Sequence, residues 1–200
     1  MNEATPTRSA LLELREERRA MGDGYTFLDE KCLLLAAAIL RELKRHAALL
    51  EEFRRLHGDA CALLRAALLR HGLQGIACYP PALFADARLS ITRRPLLGVT
   101  LQDAELSRSA KSTSTPLPLN PSSEAQQSRD CFAALLAQAA QLAAVAGNLE
   151  RLSHEYRRTM RRARALHDVL LPELDQGIHE IQARLEQQEQ EEAVWVRHRR

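Results

Sequence analysis

Aromatic residues are scarce. Four Phe, three Tyr and one Trp make up 4% of the 200 residues. A compact globular core usually takes much of its buried area from such rings, so the chain is expected to pack long helices through Ala and Leu instead. Long apolar runs are missing too. The longest, residues 32–40 and 132–146, fall short of the ~20 apolar residues a spanning helix needs, and Gln138 and Gln141 interrupt the second. No direct membrane insertion is therefore expected. The formal charge is only +2, from 28 basic and 26 acidic residues. That lacks the basic excess of a dedicated nucleic-acid binder, and few rings are available for base stacking. Cys32, Cys61, Cys78 and Cys131 are widely spaced, with no Cys-x-x-Cys pair and no secretory leader, which predicts reduced thiols in the cytoplasm. Among seven histidines there is no His-x-x-x-His or His-Glu-x-x-His arrangement, and no glycine-rich phosphate loop occurs. Hence no catalytic residue, cofactor or metal site is assigned, and the chain is not expected to be an enzyme.

What is present is heptad spacing. Leu135, Ala139, Leu142, Ala146, Leu149, Ser153, Tyr156, Met160, Ala163, His167, Leu170 and Leu174 follow one another at steps of four and three, the seam of a coiled coil. One seam cannot bury itself. A matching stripe runs earlier in the chain through Leu11, Leu14, Arg18, Met21, Tyr25, Leu28, Cys32, Leu35, Ile39, Glu42, His46, Leu49, Phe53, Leu56, Ala60 and Leu63. Thr7 can cap this first helix. Gly22, Gly24 and Gly58 each weaken it by ~1 kcal/mol relative to Ala without stopping it, and the helix is read to about residue 70, some 90 Å at 1.5 Å per residue.

Between residues 71 and 122 the periodicity fails and glycines and prolines gather. Residues 87–92 alternate at period two and residues 97–101 could form a second short strand, which suggests a small hairpin. Residues 107–123 are rich in Ser, Thr and Pro and predict a mobile loop. The expected fold is mainly α: a long antiparallel two-helix coiled-coil hairpin with a small irregular or β-hairpin insert. Its parts are a first helix over 7–70, an insert over 71–122 and a second helix over 123–200. Pro172, inside the second helix, predicts a kink.

If the two chain ends lie level, facing residue numbers add to about 205, by the helical rise of both strands. Leu28 would then lie near Gly177, and Arg157, Arg158, Arg161, Arg162 and Arg164 would face Arg41, Lys44 and Arg45. Such a band of like charge repels itself by a few tenths of a kcal/mol per i,i+4 pair, so it is either an interface for an acidic partner or a solvated helix face. At the far end Trp195 and Arg199 are interface candidates, with packing of Trp195 against the first helix near Leu11 as the alternative.

Pro6-Thr7-Arg8 with Leu11 and Leu14, followed by Gly24-Tyr25-Thr26-Phe27-Leu28-Asp29-Glu30-Lys31, resembles the opening of the D subunit of the V-type and A-type rotary ATPases. The stretch from Ile91 to Leu101 around Gly98-Val99 resembles that family's centre. Leu149-Glu150-Arg151-Leu152 with Thr159, Arg161-Arg162, Ala165-Leu166 and Pro172 is similar to its most recognisable segment, with Arg164 and His167 standing where Asn and Glu are usual. The resemblance implies a non-catalytic central rotor shaft that transmits rotation during ATP-driven proton or sodium transport or ATP synthesis. Its implied partners are the catalytic and regulatory subunits of the ring, the small F subunit of the stalk and the funnel-shaped subunit seated on the membrane. It would be cytoplasmic and held at the membrane through the complex. A coiled-coil adaptor or secretion stalk independent of any ATPase would share the periodicity but not these ordered matches.

Overall fold

The computed structural model describes residues 7–77, 79, 87–108 and 121–199. The loop expected over 107–123 falls, from 109 to 120, outside the described residues, as do Pro6, Cys78 and Arg200. The fold is mainly α, with two long helical stretches and a small antiparallel hairpin between them in sequence. In order these are α1 (Arg8–Ala77), β1 (Ala87–Leu96), β2 (Val99–Arg108), α2 (Ser123–Ala165), a π-helical turn (Leu166–Leu170) and α3 (Leu171–His198).

α1 begins where Thr7 accepts a hydrogen bond from the Ala10 N–H at its side-chain oxygen, 3.2 Å, and one from Leu11 N–H at its carbonyl, 3.1 Å. No proline follows before residue 80. Gly22, Gly24 and Gly58 remain helical. The ladder breaks only at Gly72, whose φ of 67° and ψ of 171° suit a residue without Cβ. Apart from Arg18, every residue of the predicted first stripe is buried or half-buried.

The chain divides into two compact units: Met1–Ala36 with Glu155–Arg200, and Ala37–His154. In the first, α1 runs antiparallel to the end of α2 and to α3. Arg8–Glu189 at 2.7 Å, Arg18–Asp175 at 2.6 Å and Lys31–Glu155 at 2.6 Å fix the register. Each pair falls well short of the 205 expected, and Gly177 lies beside Leu14 rather than Leu28. The expectation aligned the chain ends. Instead, Glu189 sits level with the start of α1, and α3 continues beyond it to His198. The core of this unit is thin: Cys32, Leu35, Ala163, Ile178 and Ile181, with Thr159.

The second unit is packed more fully. Ala38, Ala60, Ala67, Ala125, Leu135, Val145 and Leu152 are buried between the helices. Small side chains at the contact let helix axes approach closely, which explains a core with almost no aromatic rings. Ser122 caps α2 through the Ala125 N–H at 3.2 Å, and the same hydroxyl meets His71 Nε2 at 2.7 Å. Arg70 pairs with Glu124 at 2.8 Å nearby.

The burial of α2 follows Val145, Asn148 and Leu152, not the predicted Ala146, which is exposed. A polar residue inside the seam hid its phase. Asn148 acts as a stand-in peptide group: its Oδ1 accepts the Gln102 N–H at 2.7 Å and its Nδ2 donates to the Gln102 carbonyl at 2.8 Å. Arg151 Nη2 donates to the same Oδ1 at 2.7 Å. The outer edge of β2 is thereby closed by a helix side chain. Val99 and Leu101 are buried, and Arg45 binds Asp103 at 2.6 Å.

Leu97 and Gly98 are the turn of the hairpin, not part of a strand as expected. Leu96 faces Val99, and both turn residues have positive φ, 50° and 85°. A two-residue loop with positive φ at both positions matches the right-handed strand twist.

One point differs from the expected absence of any membrane-length helix. The continuous helical stretch Ser123–His198 contains an 18-residue window of mean hydropathy 1.4, long and apolar enough by composition to cross a membrane, with 22% of the window buried. Counting contiguous apolar residues missed it because glutamines interrupt the run. A buried core helix passes the same test, and this helix buries Asn148 with three hydrogen bonds.

Candidate interaction surface

The five arginines lie on the last turns of α2, and all are exposed. Helical geometry sorts them into two stripes. Arg157, Arg161 and Arg164 share one face at i, i+4 and i+7, while Arg158 and Arg162 share the next, in line with Glu155. Among the described residues none of the five forms an ion pair. Through its pair with Glu155, Lys31 lies opposite the start of the band, whereas Arg41, Lys44 and Arg45 belong to the other unit, where Arg45 is held by Asp103 of the hairpin.

Glu155 is the acidic pivot of the band. Its side chain and that of Lys31 are 19% and 20% exposed, so water screens the pair less than it does Arg8–Glu189. The hydrogen bond from Lys31 holds the Glu155 carboxyl below the usual carboxylate range; burial opposes the shift, and the charges of Lys31, Arg158 and Arg162 add to it. Thr159 donates its hydroxyl to the Glu155 carbonyl at 2.9 Å. One carboxylate thus anchors the helix pair and absorbs part of the field of two arginines. The other stripe, Arg157, Arg161 and Arg164, is not among the charges that act on Glu155.

Immediately beyond the band comes the π turn. Leu171 N–H bonds to the carbonyl of Leu166, five residues back. Pro172 stands in the first turn of α3. In an unbroken α-helix its ring would meet the carbonyl four residues earlier and its missing N–H would orphan that group. The wider turn moves that conflict out of a regular ladder, so the proline expresses itself as a π turn. It also removes His167 and Leu170 from the predicted seam: both are exposed, with Leu170 40% and Val169 49% accessible. His167 leans on Tyr25 with ring centroids 5.1 Å apart, and its Nδ1 lies 2.7 Å from Asp168 Oδ1. Such turns recur at functional positions in helices.

At the end of α3, Trp195 is 60% exposed, and the Arg8–Glu189 pair sets it beyond the level of Leu11 rather than against it. The Arg199 guanidinium carbon lies 4.4 Å above its ring centroid. A shallow groove beside it is lined by Gln187, Gln190, Glu191, Val194, Trp195 and His198. The arginine band and this tip are separate surfaces of one unit. Sequence reasoning missed the buried roles of Asn148 and Thr159 and the Lys31–Glu155 pair; the polar residues three or four positions from apolar seam residues were the available signal.

A family model for the D subunit of ATP synthase matches residues 10–198. The V-type ATP synthase D subunit of Anaeromyxobacter dehalogenans is 30% identical over 207 residues, covering 98% of this chain and 95% of the relative. That of Thermotoga neapolitana is 26% identical over 188 residues, covering 94% and 92%. The A-type ATP synthase D subunit of Methanopyrus kandleri is 24% identical over 195 residues, covering 97% and 84%.

Proposed function

Because this chain belongs to the D-subunit family of ATP synthases, the central-stalk component of the V-type and A-type enzymes, we propose that it is the shaft that carries rotation between a catalytic ring and a membrane rotor. The match along residues 10–198 carries the reading, since an unrelated coiled-coil adaptor leaves it unexplained. In this role the chain performs no chemistry and binds no nucleotide. It is cytoplasmic and reaches the membrane only through the complex. Its partners are the catalytic and regulatory subunits of the ring, the F subunit of the stalk and the membrane-seated funnel.

The physical task is differential contact. A shaft biases the nucleotide state of each catalytic interface only if its surface interacts more favourably with one conformation than another. The stripe of Arg157, Arg161 and Arg164 suits that task, because it concentrates exposed positive charge on one side of one helix. As the stripe passes an acidic loop, that interface gains a favourable field that the others lack. Trp195 and Arg199 form the second contact, at the tip inside the ring.

Two measurements test this. A tagged chain should recover nucleotide-binding ring proteins and the F subunit; recovery of neither sinks the reading. Arg161→Ala with Arg162→Ala should reduce ATP-driven ion transport more than ATP hydrolysis, and unchanged coupling removes the arginine band from the mechanism.

A further inference from the structure

Among the described residues, nothing pairs with one edge of the hairpin. Gln102 turns its N–H and C=O away from β1, to Asn148. Gln102 faces Arg93 in the register. In an antiparallel ladder both members of such a pair direct their backbone groups outward, and the pattern alternates. The residues of β1 whose N–H and C=O point away from the hairpin are therefore Leu89, Ile91 and Arg93, with Pro95 at the next outward place. Pro95 agrees with this phase, because an outward position is where a strand tolerates the loss of an N–H. Among the described residues no group bonds to the backbone of Leu89, Ile91 or Arg93 on that side.

Among the described residues, the side chains around this edge are also without partners. Residues 88–95 are exposed on both faces, with Leu89 54% and Ile91 50% accessible. Arg88, Arg93 and Arg94 flank the edge, and among the described residues none of them is in an ion pair. On the other strand Asp103 is already taken by Arg45. A ten-residue strand with an open edge, two exposed aliphatic side chains and three free arginines invites pairing with another chain, unless a partner covers it.

We propose that β1 receives an extended, acidic segment of another protein, which adds a third strand along residues 89–93. Main-chain bonds to Leu89, Ile91 and Arg93 supply register, the Leu89 and Ile91 side chains supply apolar contact, and carboxylates on the incoming segment meet the arginines. A second copy of this chain fits poorly, since two antiparallel β1 edges bring arginines of like charge together. The proposal rests on the chain working within an assembly, and it concerns a surface distinct from the arginine band of α2.

The test compares amide hydrogen exchange in the full chain alone and in the complex recovered through a tag on it. In the complex the Leu89, Ile91 and Arg93 amides should exchange at least about tenfold more slowly, while Ser90, Thr92 and Arg94, already bonded within the hairpin, change little. Ile91→Pro deletes an outward N–H and an exposed apolar side chain, but no hydrogen bond of the hairpin ladder. It should keep the Thr92 and Asp103 protection that reports an intact hairpin, yet return Leu89 and Arg93 to the rates of the free chain. Arg93→Glu should weaken the protection, and more so at low salt. Equal exchange of the outward amides in both states overturns the proposal. Protection that appears in the chain alone and rises with its concentration overturns it in favour of self-pairing. Whether ring proteins are present in the recovered complex is scored separately and bears on the shaft reading alone.

Discussion

The unit built on Met1–Ala36 and Glu155–Arg200 is held largely at its rim, whereas Ala37–His154 is held through its middle. In the first, three interhelical ion pairs span a core of few buried residues. In the second, a run of buried alanines, Leu135, Val145 and Leu152 is joined by the hairpin, with Asn148 tying strand to helix. Exposed ion pairs contribute ~0–1 kcal/mol each, while a buried Leu contributes about 1.5–3 kcal/mol. The second unit should therefore carry most of the stability, leaving the surface of the first to charge. That division suits a protein whose first unit presents an arginine band to partners.

Truncation of the two cores tests the contrast most strongly. Leu152→Ala, at a fully buried site, should cost about 3–4 kcal/mol in urea unfolding, within the usual range for cavity formation. Ile178→Ala in the first unit, at the margin of burial, should cost less, about 2 kcal/mol. Equal losses would mean that the two units are packed alike. Asn148→Leu comes next. It strands the N–H and carbonyl of Gln102 and removes the acceptor used by Arg151, which should cost about 2 kcal/mol. Hydrogen exchange should rise in β2 and leave α3 unchanged; a global loss without hairpin opening would show that Asn148 serves the helix seam instead.

The polar link of the first unit gives a smaller, pH-dependent effect. The Glu155 carboxyl is depressed in the folded chain, first by the hydrogen bond from Lys31. The unfolded chain then binds the proton more tightly, so the contribution is complete above the ordinary carboxylate value and disappears as pH falls through that value to the depressed one. Lys31→Met should lower stability by about 1 kcal/mol at neutral pH and flatten the acid limb of the stability curve. An unchanged acid limb would show that the pair contributes nothing beyond its packing.

How legible these features were depended on whether apolar residues marked them. The stripe of α1 was readable because Leu, Ile, Tyr and Phe occupy ten of its sixteen positions, and Arg18 alone among them is exposed. On α2 the true phase runs through Asn148 and Thr159, which are buried because partners satisfy their polar atoms. The hydrophobic pattern holds at Leu135 and Ala163, both buried, and at half-buried positions between them, and on α2 it fails at Ala146. Register was beyond reach, since it is set by pairs such as Arg18–Asp175 that no local pattern connects. Pro172 announced an interruption, but whether a helix kinks or widens into a π turn depends on how the ladder around Leu166–Leu170 recovers its hydrogen bonds. The arginine band was visible as composition, whereas the carboxylate beside it, Glu155 held by Lys31, needed the partner helix.

The hairpin turn offers the finest adjustment of the comparison, because it would strengthen the better-packed unit further. Leu97 sits at φ 50°, where a side chain with Cβ is strained. Asn in this place, followed by Gly98, is the preferred pair for two residues of positive φ. Leu97→Asn should therefore raise stability by about 0.5 kcal/mol, the relief of strain exceeding the half-buried apolar area lost. Slower exchange confined to β1 and β2, with α3 unaffected, would show that the hairpin opens as a local element. Destabilisation would mean that the Leu97 side chain is held by packing strong enough to outweigh its backbone.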